Sequence, residues 1–155
     1  MLVLLDIDGV MVPASSWKKP EFLHDGFPIF SFKSVQALNK IITATNANIL
    51  LTTSHKNRFS VDEWINIFKL RDININKIER LPENVTGLNR KLEISNWFSE
   101  FKSNENFVIL DDDKSLNGLD ETLKEKLILT SPLVGLTDDC ANLAIEILKN
   151  KMTFV

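Results

Sequence analysis

Four short apolar runs in this chain each end in polar residues: LVLLDID near the start, NILLTTS, FVILDDD and KLILTS. Stretches with helical spacing lie between them, most clearly around Val35 to Thr45, Val61 to Phe68 and Leu92 to Phe101. Continuous apolar strands alternating with amphipathic helices belong to a parallel sheet that is buried on both faces. The pattern predicts an α/β fold, a Rossmann-like three-layer sandwich with a central, mostly parallel sheet. In open sheets of this kind the C-terminal strand ends line the ligand crevice. Those ends carry Asp6 and Asp8, then Thr52 to Ser54, then Asp111 to Asp113.

The local signals set approximate boundaries. Leu2 to Ile7 reads as the first strand, closed by an Asp-Gly turn. Residues 11–33 hold Pro13, Pro20, Pro28 and Gly26 among Trp17, Phe22, Phe27, Phe30 and Phe32, without a sustained period. This is a structured excursion with room for a short hairpin. Ser34 is the expected N-cap of a helix running to about Thr45. Ser60 and Glu63 have capping-box spacing. INI near residue 75 reads as a short edge strand, and Thr137 as the cap of a last helix carrying Cys140, Ala144, Ile147 and Leu148.

Size and composition narrow the function classes. With 155 residues, 44% of them apolar, the chain can bury one core, and the expectation is one domain over 1–155 with a loop or small flap at about 11–33. A net charge of −3, with no long basic block, argues against non-specific binding to a nucleic-acid duplex. A single cysteine, Cys140, excludes an intramolecular disulfide and a thiolate zinc cluster, and it reads as a small buried hydrophobe. No apolar stretch is long enough to span a bilayer, and the N-terminus lacks a basic leader region, so the expected location is cytoplasmic.

Carboxylates that converge on one crevice repel each other and are hard to ionise unless a cation intervenes. Mg²⁺ is the simplest such cation, since it takes oxygen ligands and keeps some water. Asp6, Asp8, Asp111 and Asp112 are the candidate ligands. A cation held this way is commonly completed by substrate phosphate. The remaining polar residues suit that role: Thr52 or Thr53 as a hydroxyl donor to a phosphoryl oxygen, and Lys91 or Arg90 as a neutralising charge.

These segments carry a family resemblance. LLDIDGV resembles the first motif of the haloacid dehalogenase (HAD) superfamily, LLTTS the second, the RK pair before LEISNW the third, and LDDD the fourth, in the same order. More narrowly, DIDGV, ILLTTSHK, RKLEISNWF, FVILDDD and SPLVGLT together resemble the small HAD domain of bacterial proteins and of multi-enzyme RNA-repair polypeptides. The resemblance implies a HAD-like fold with a minimal cap and an Mg²⁺-dependent phosphomonoester hydrolase. Asp6 would be the nucleophile, becoming an aspartyl phosphate, and Asp8 the acid and then the base. The metal ligands it implies are the side chains of Asp6 and Asp111 and the backbone of Asp8, with Asp112 holding the metal through water or the catalytic lysine. Thr52 is preferred for the phosphate-binding hydroxyl and Lys91 for the third motif. Thr53, Ser54, His55, Lys56 and Arg90 are the expected substrate contacts. The chain departs from the subgroup at His55-Lys56, where relatives often show Trp-Arg.

The expected partner is a phosphorylated small molecule, a nucleotide or a nucleic-acid terminus, with no membrane contact. Two other classes remain open. A receiver-like module would need an acceptor aspartate near the middle strand, and ANILLTTS offers none there. A silent phosphoryl-binding or regulatory module would be expected to lose the first acid pair, which is present.

Overall fold

The computed structural model describes residues 1–14 and 19–150, so Trp17 lies outside the described residues. Five strands, β1 (Leu2–Leu5), β2 (Asn48–Leu51), β3 (Ile78–Arg80), β4 (Phe107–Asp111) and β5 (Leu127–Leu129), form one sheet in the order β3-β2-β1-β4-β5. Every pairing is parallel, with Leu5 level with Leu51 on one side and Leu110 on the other. The Rossmann-like α/β arrangement expected from the apolar runs is therefore present.

Five helices connect and cover the strands: α1 (Phe32–Thr45), α2 (Val61–Leu70), α3 (Arg90–Glu100), α4 (Glu121–Lys124) and α5 (Asp138–Lys149). Side chains alternate along β1, and the two faces are buried against different helices. Val3 and Leu5 face a core with Leu38 and Ile41 of α1, Trp64 and Phe68 of α2 and Ala144 of α5. Leu2 and Leu4 face a second cluster with Ile94 of α3, Leu116 and Leu123. Each strand is thus apolar on both sides, which is why the runs lack polar alternation.

Two boundaries and one burial differ from the sequence reading. The N-cap of α1 is Ser31, not Ser34: the Ser31 hydroxyl accepts from the Ser34 amide at 3.2 Å. Ser34 is fully buried, and its hydroxyl donates to the carbonyls of Val10 (2.9 Å) and Leu136 (3.2 Å), tying two loops to α1. The edge strand falls at Ile78–Arg80 and not at INI near 75, because Ile78 pairs with Ile49 while Ile73 is used in the core after α2. Cys140 is only partly buried. The Ser60 capping box and the Thr137 cap form as expected.

The excursion after β1 contains a small hairpin about Gly26, closed by the Leu23 amide to Phe27 and the Ile29 amide to Glu21. Arg71, just past α2, fixes it. Its guanidinium donates to both oxygens of Asp25 (2.6 and 3.1 Å) and to the carbonyls of Phe27 (2.8 Å) and Pro28 (3.0 Å).

Candidate active site

Parallel strands that end together bring their following residues to one edge of the sheet. Beyond β1, Asp6 is held by the Leu110 carbonyl, to which its amide donates at 3.0 Å. Beyond β2, the Thr52 amide donates to the Leu5 carbonyl at 3.0 Å. Asp111 closes β4. Carboxylate oxygens of Asp6, Asp111 and Asp112 consequently lie within 4.8 Å of one another, with Asp6 and Asp111 buried.

The approach of Asp112 depends on Gly9. A Cβ at Gly9 would stand 2.0 Å from Asp112 Oδ2, and the backbone there has φ +80. Only glycine satisfies both conditions. Thr130, beyond β5, donates its hydroxyl to the Gly9 carbonyl at 2.7 Å and fixes this turn from the other side.

Arg90, the first residue of α3, supplies the positive charge. Its Nη1 donates to Asp111 Oδ2 at 2.6 Å and lies 3.5 Å from Asp6 Oδ1. Asp6 Oδ1 also accepts from the Ile7 amide at 2.8 Å. These contacts do not offset the environment. Burial, then the charge of Asp111, push the Asp6 carboxyl up to about 8. Burial also raises Asp111 above the ordinary carboxylate range, against the pull of Arg90.

A second buried pair lies behind Arg90. Lys56 is 3% exposed and donates to Glu93 at 2.9 Å, and the other Glu93 oxygen is 3.8 Å from Arg90 Nε. With all four ionised, Asp6, Asp111, Asp112 and Glu93 would outnumber Lys56 and Arg90 by two charges, which is why burial and mutual repulsion keep Asp6 and Asp111 hard to ionise without a further cation. All the ligand atoms in the acid cluster are hard oxygens. A divalent cation such as magnesium fits both the charge and the donor set.

The expected site residues divide into those brought together and those placed elsewhere. Thr52 is fully buried, and its hydroxyl has no hydrogen-bond partner among the described residues. A buried orphan of this kind is costly unless a ligand completes it. The Thr53 hydroxyl, by contrast, accepts from the His55 amide at 3.2 Å, and Ser54 is exposed. Asp8 stands outside the three-acid cluster, with its carboxylate half-exposed and Oδ2 2.8 Å from His55 Nε2. The His55 ring meets Phe27 edge-on at 5.7 Å, so the excursion positions the partner of Asp8.

Two placements depart from the sequence reading. Arg90 reaches the acids, whereas Lys91 is turned away, its ammonium next to Gly118. Successive helical residues point about 100° apart, so only one of the pair can face the crevice. Lys56, expected to contact substrate, is turned inward onto Glu93. Glu93 itself was not anticipated, although its position three residues after Arg90 is the spacing at which helical charges meet. Thr130 was also missed, and its signal was the same as that of Thr52: a hydroxyl directly after an apolar run.

The family model for the HAD domain in Swiss Army Knife RNA repair proteins matches residues 2–141. The chain belongs to this family. The match takes in all five strands of the HAD domain and every acid, hydroxyl and cation described above. No curated protein and no solved structure matches the chain significantly. Membership in the HAD domain family supports phosphatase-type hydrolase chemistry in general terms, and the acid cluster is one that could hold a metal. Among the described residues no helix is long and apolar enough to cross a membrane.

Proposed function

We propose that this chain hydrolyses phosphate monoesters through a phosphoaspartate on Asp6. The observation that carries the reading is the meeting of Asp6, Asp111 and Asp112 beside Arg90 and the unpartnered Thr52 hydroxyl. Family membership supports it. Acids alone would repel a phosphate; acids with a cation site, a guanidinium and a free hydroxyl form a seat for one.

In the first half-reaction an Asp6 carboxylate oxygen attacks phosphorus. The bond from phosphorus to the leaving oxygen breaks, and that oxygen takes the proton of the Asp8 carboxyl and departs as an alcohol. In the second, the Asp8 carboxylate removes a proton from water, whose oxygen attacks phosphorus, and the bond to Asp6 breaks to release inorganic phosphate. Thr52 donates its hydroxyl to a phosphoryl oxygen. Arg90 keeps Asp6 and Asp111 oriented and offsets the charge gathered there. Magnesium, when bound by Asp6, Asp111 and Asp112 with the backbone of Asp8, supplies charge stabilisation of the phosphoryl oxygens.

The half-exposed position of Asp8 suits its part, since an acid that serves the leaving group and then water needs access to both. Substrates of the proposed class are a nucleotide, a nucleic-acid end or another small phosphate. The occurrence of this domain family in RNA repair proteins favours a nucleic-acid terminus.

The test is phosphate release with magnesium from nucleotides, sugar phosphates and 5′- or 3′-phosphorylated oligonucleotides, beside Asp6→Asn and Asp8→Asn. Asp6→Asn should abolish turnover, and Asp8→Asn should lose most of it while still binding metal and phosphate. Equal rates in wild type and Asp6→Asn would reject the reading.

A further inference from the structure

We propose that the apolar cavity opening at Asp8 seats the leaving group and, by burying a nucleobase, selects a nucleoside over an alcohol that carries only hydroxyls, such as glycerol or glucose. This rests on the hydrolase reading above, because it takes Asp8 as the proton donor. An alcohol oxygen that receives the Asp8 proton must lie within hydrogen-bond reach of that carboxylate, so the body of the alcohol occupies whatever space adjoins it.

That space is well defined. A cavity of about 690 Å³ runs from Asp8 between the excursion after β1 and the loop leading to α5. Its volume lies within the usual range for small-molecule sites. Val12, Pro13, Pro20 and Ile29 of the excursion and Leu133 of the later loop supply its apolar lining. Leu133 is 66% exposed and Ile29 37%, although both are large aliphatic side chains.

The polar groups decide the class of occupant. The Ser31 hydroxyl in this lining already donates to Ser34 at 2.8 Å. A glucose or glycerol body would lose water from hydroxyls on every side against proline, isoleucine and leucine, more than Asp8, Lys19 and Glu21 can replace. A nucleobase instead presents flat apolar faces to those side chains and gains by their burial. Its donors and acceptors lie on its edge, and Lys19 and Glu21 of the lining offer one charge of each sign for them.

The other cavity near the cluster, bounded by Leu81, Glu93 and Trp97, does not reach Asp8. Its Glu93 is committed to Lys56, and its Asn84 side chain is bonded in both directions to Leu88. It has no geometric claim on the leaving group.

The experiment has two arms on the full chain. The first compares kcat/KM for nucleoside 5′- and 3′-monophosphates with that for glycerol phosphate and glucose 6-phosphate, in wild type, Leu133→Asp and Leu143→Ser. Leu143 is an exposed leucine of α5 away from this cavity and serves as the surface control. The nucleoside preference should fall about tenfold in Leu133→Asp, the scale set by a lost apolar contact in a pocket, and hold in Leu143→Ser. The second arm titrates adenosine, without any phosphate, while following the methyl resonances of Ile29 and Leu133. Saturable shifts confined to those methyls are expected.

The two readings fail separately. Adenosine binding at these methyls without turnover of any monoester would retain the subsite and reject the hydrolase. Turnover without nucleoside preference, adenosine shifts absent in wild type, or Ile29 methyl shifts unchanged in Leu133→Asp would overturn the subsite and leave the hydrolase standing.

Discussion

Arg90 donates to Asp111 across 2.6 Å from the first turn of α3, where the helix dipole disfavours a cation. The buried acids outweigh that placement. Asp111 is fully buried, and without Arg90 its charge would face Asp6 with no protein cation between them.

Replacing Arg90 should therefore be far more damaging than replacing its neighbour. Arg90→Ala is expected to lower kcat/KM by about a hundredfold or more, on the scale of a lost charge-stabilising group. Lys91→Ala should remain within about threefold of wild type, because its ammonium lies at Gly118 and not at the acids. Steady-state phosphate release from both variants checks the order, and the reverse order would return the third-motif role to Lys91.

Magnesium binding should be coupled to proton release. With Asp6 pushed up to about 8, the metal-free protein holds a proton there at pH 6 to 7 that the ion must displace. Affinity should rise as pH approaches 8 and level off above it. Calorimetry in buffers of different ionisation enthalpy reads the proton directly. The metal-free fold should follow the matching sign. The raised value favours the folded state fully below the unfolded value of 3.8, and that contribution is lost as pH climbs to about 8.

Glu93→Gln should destabilise the fold by roughly 3 kcal/mol, because it leaves Lys56 buried without its counter-charge. The double variant Lys56→Met with Glu93→Gln should recover much of that loss. A urea double-mutant cycle measures the difference, and additive effects would mean that the pair carries little coupling.

Arg71→Ala should cost roughly 3 kcal/mol through the five hydrogen bonds its guanidinium makes to Asp25, Phe27, Pro28 and Ile67. Arg71→Lys should not restore it, since an ammonium cannot reproduce the planar fork. The urea midpoint checks both. Arg71, by its hydrogen bonds, also holds the Asp25 carboxyl below the usual range. That contribution is present above pH 3.8 and fades as acid reaches the lower folded value, so the gap between wild type and Arg71→Ala should narrow at low pH to the part carried by the bonds to the Phe27, Pro28 and Ile67 carbonyls.

The sequence by itself determined the four apolar strands β1, β2, β4 and β5, the helix starts at Ser60 and Thr137, and the strand ends that carry acids and hydroxyls. Each of these depends on neighbours a few residues away: LVLLDID needs no distant contact to read as a buried strand with carboxylates at its exit, nor does Ser60 with Glu63 to read as a helix start. The tertiary structure decided which of two adjacent candidates faces inward. Arg90 and Lys91 differ by one step around α3, and the docking of that helix on Ile94 against the sheet turned one to the acids and the other to Gly118. In the same way Ser31 capped α1 because Ser34 was drawn to carbonyls 24 and 102 residues away. Lys56 went inside because Glu93 waits on another element. Orientation about a helix axis and the pairing of buried charges are set by long-range packing, which local spacing does not encode.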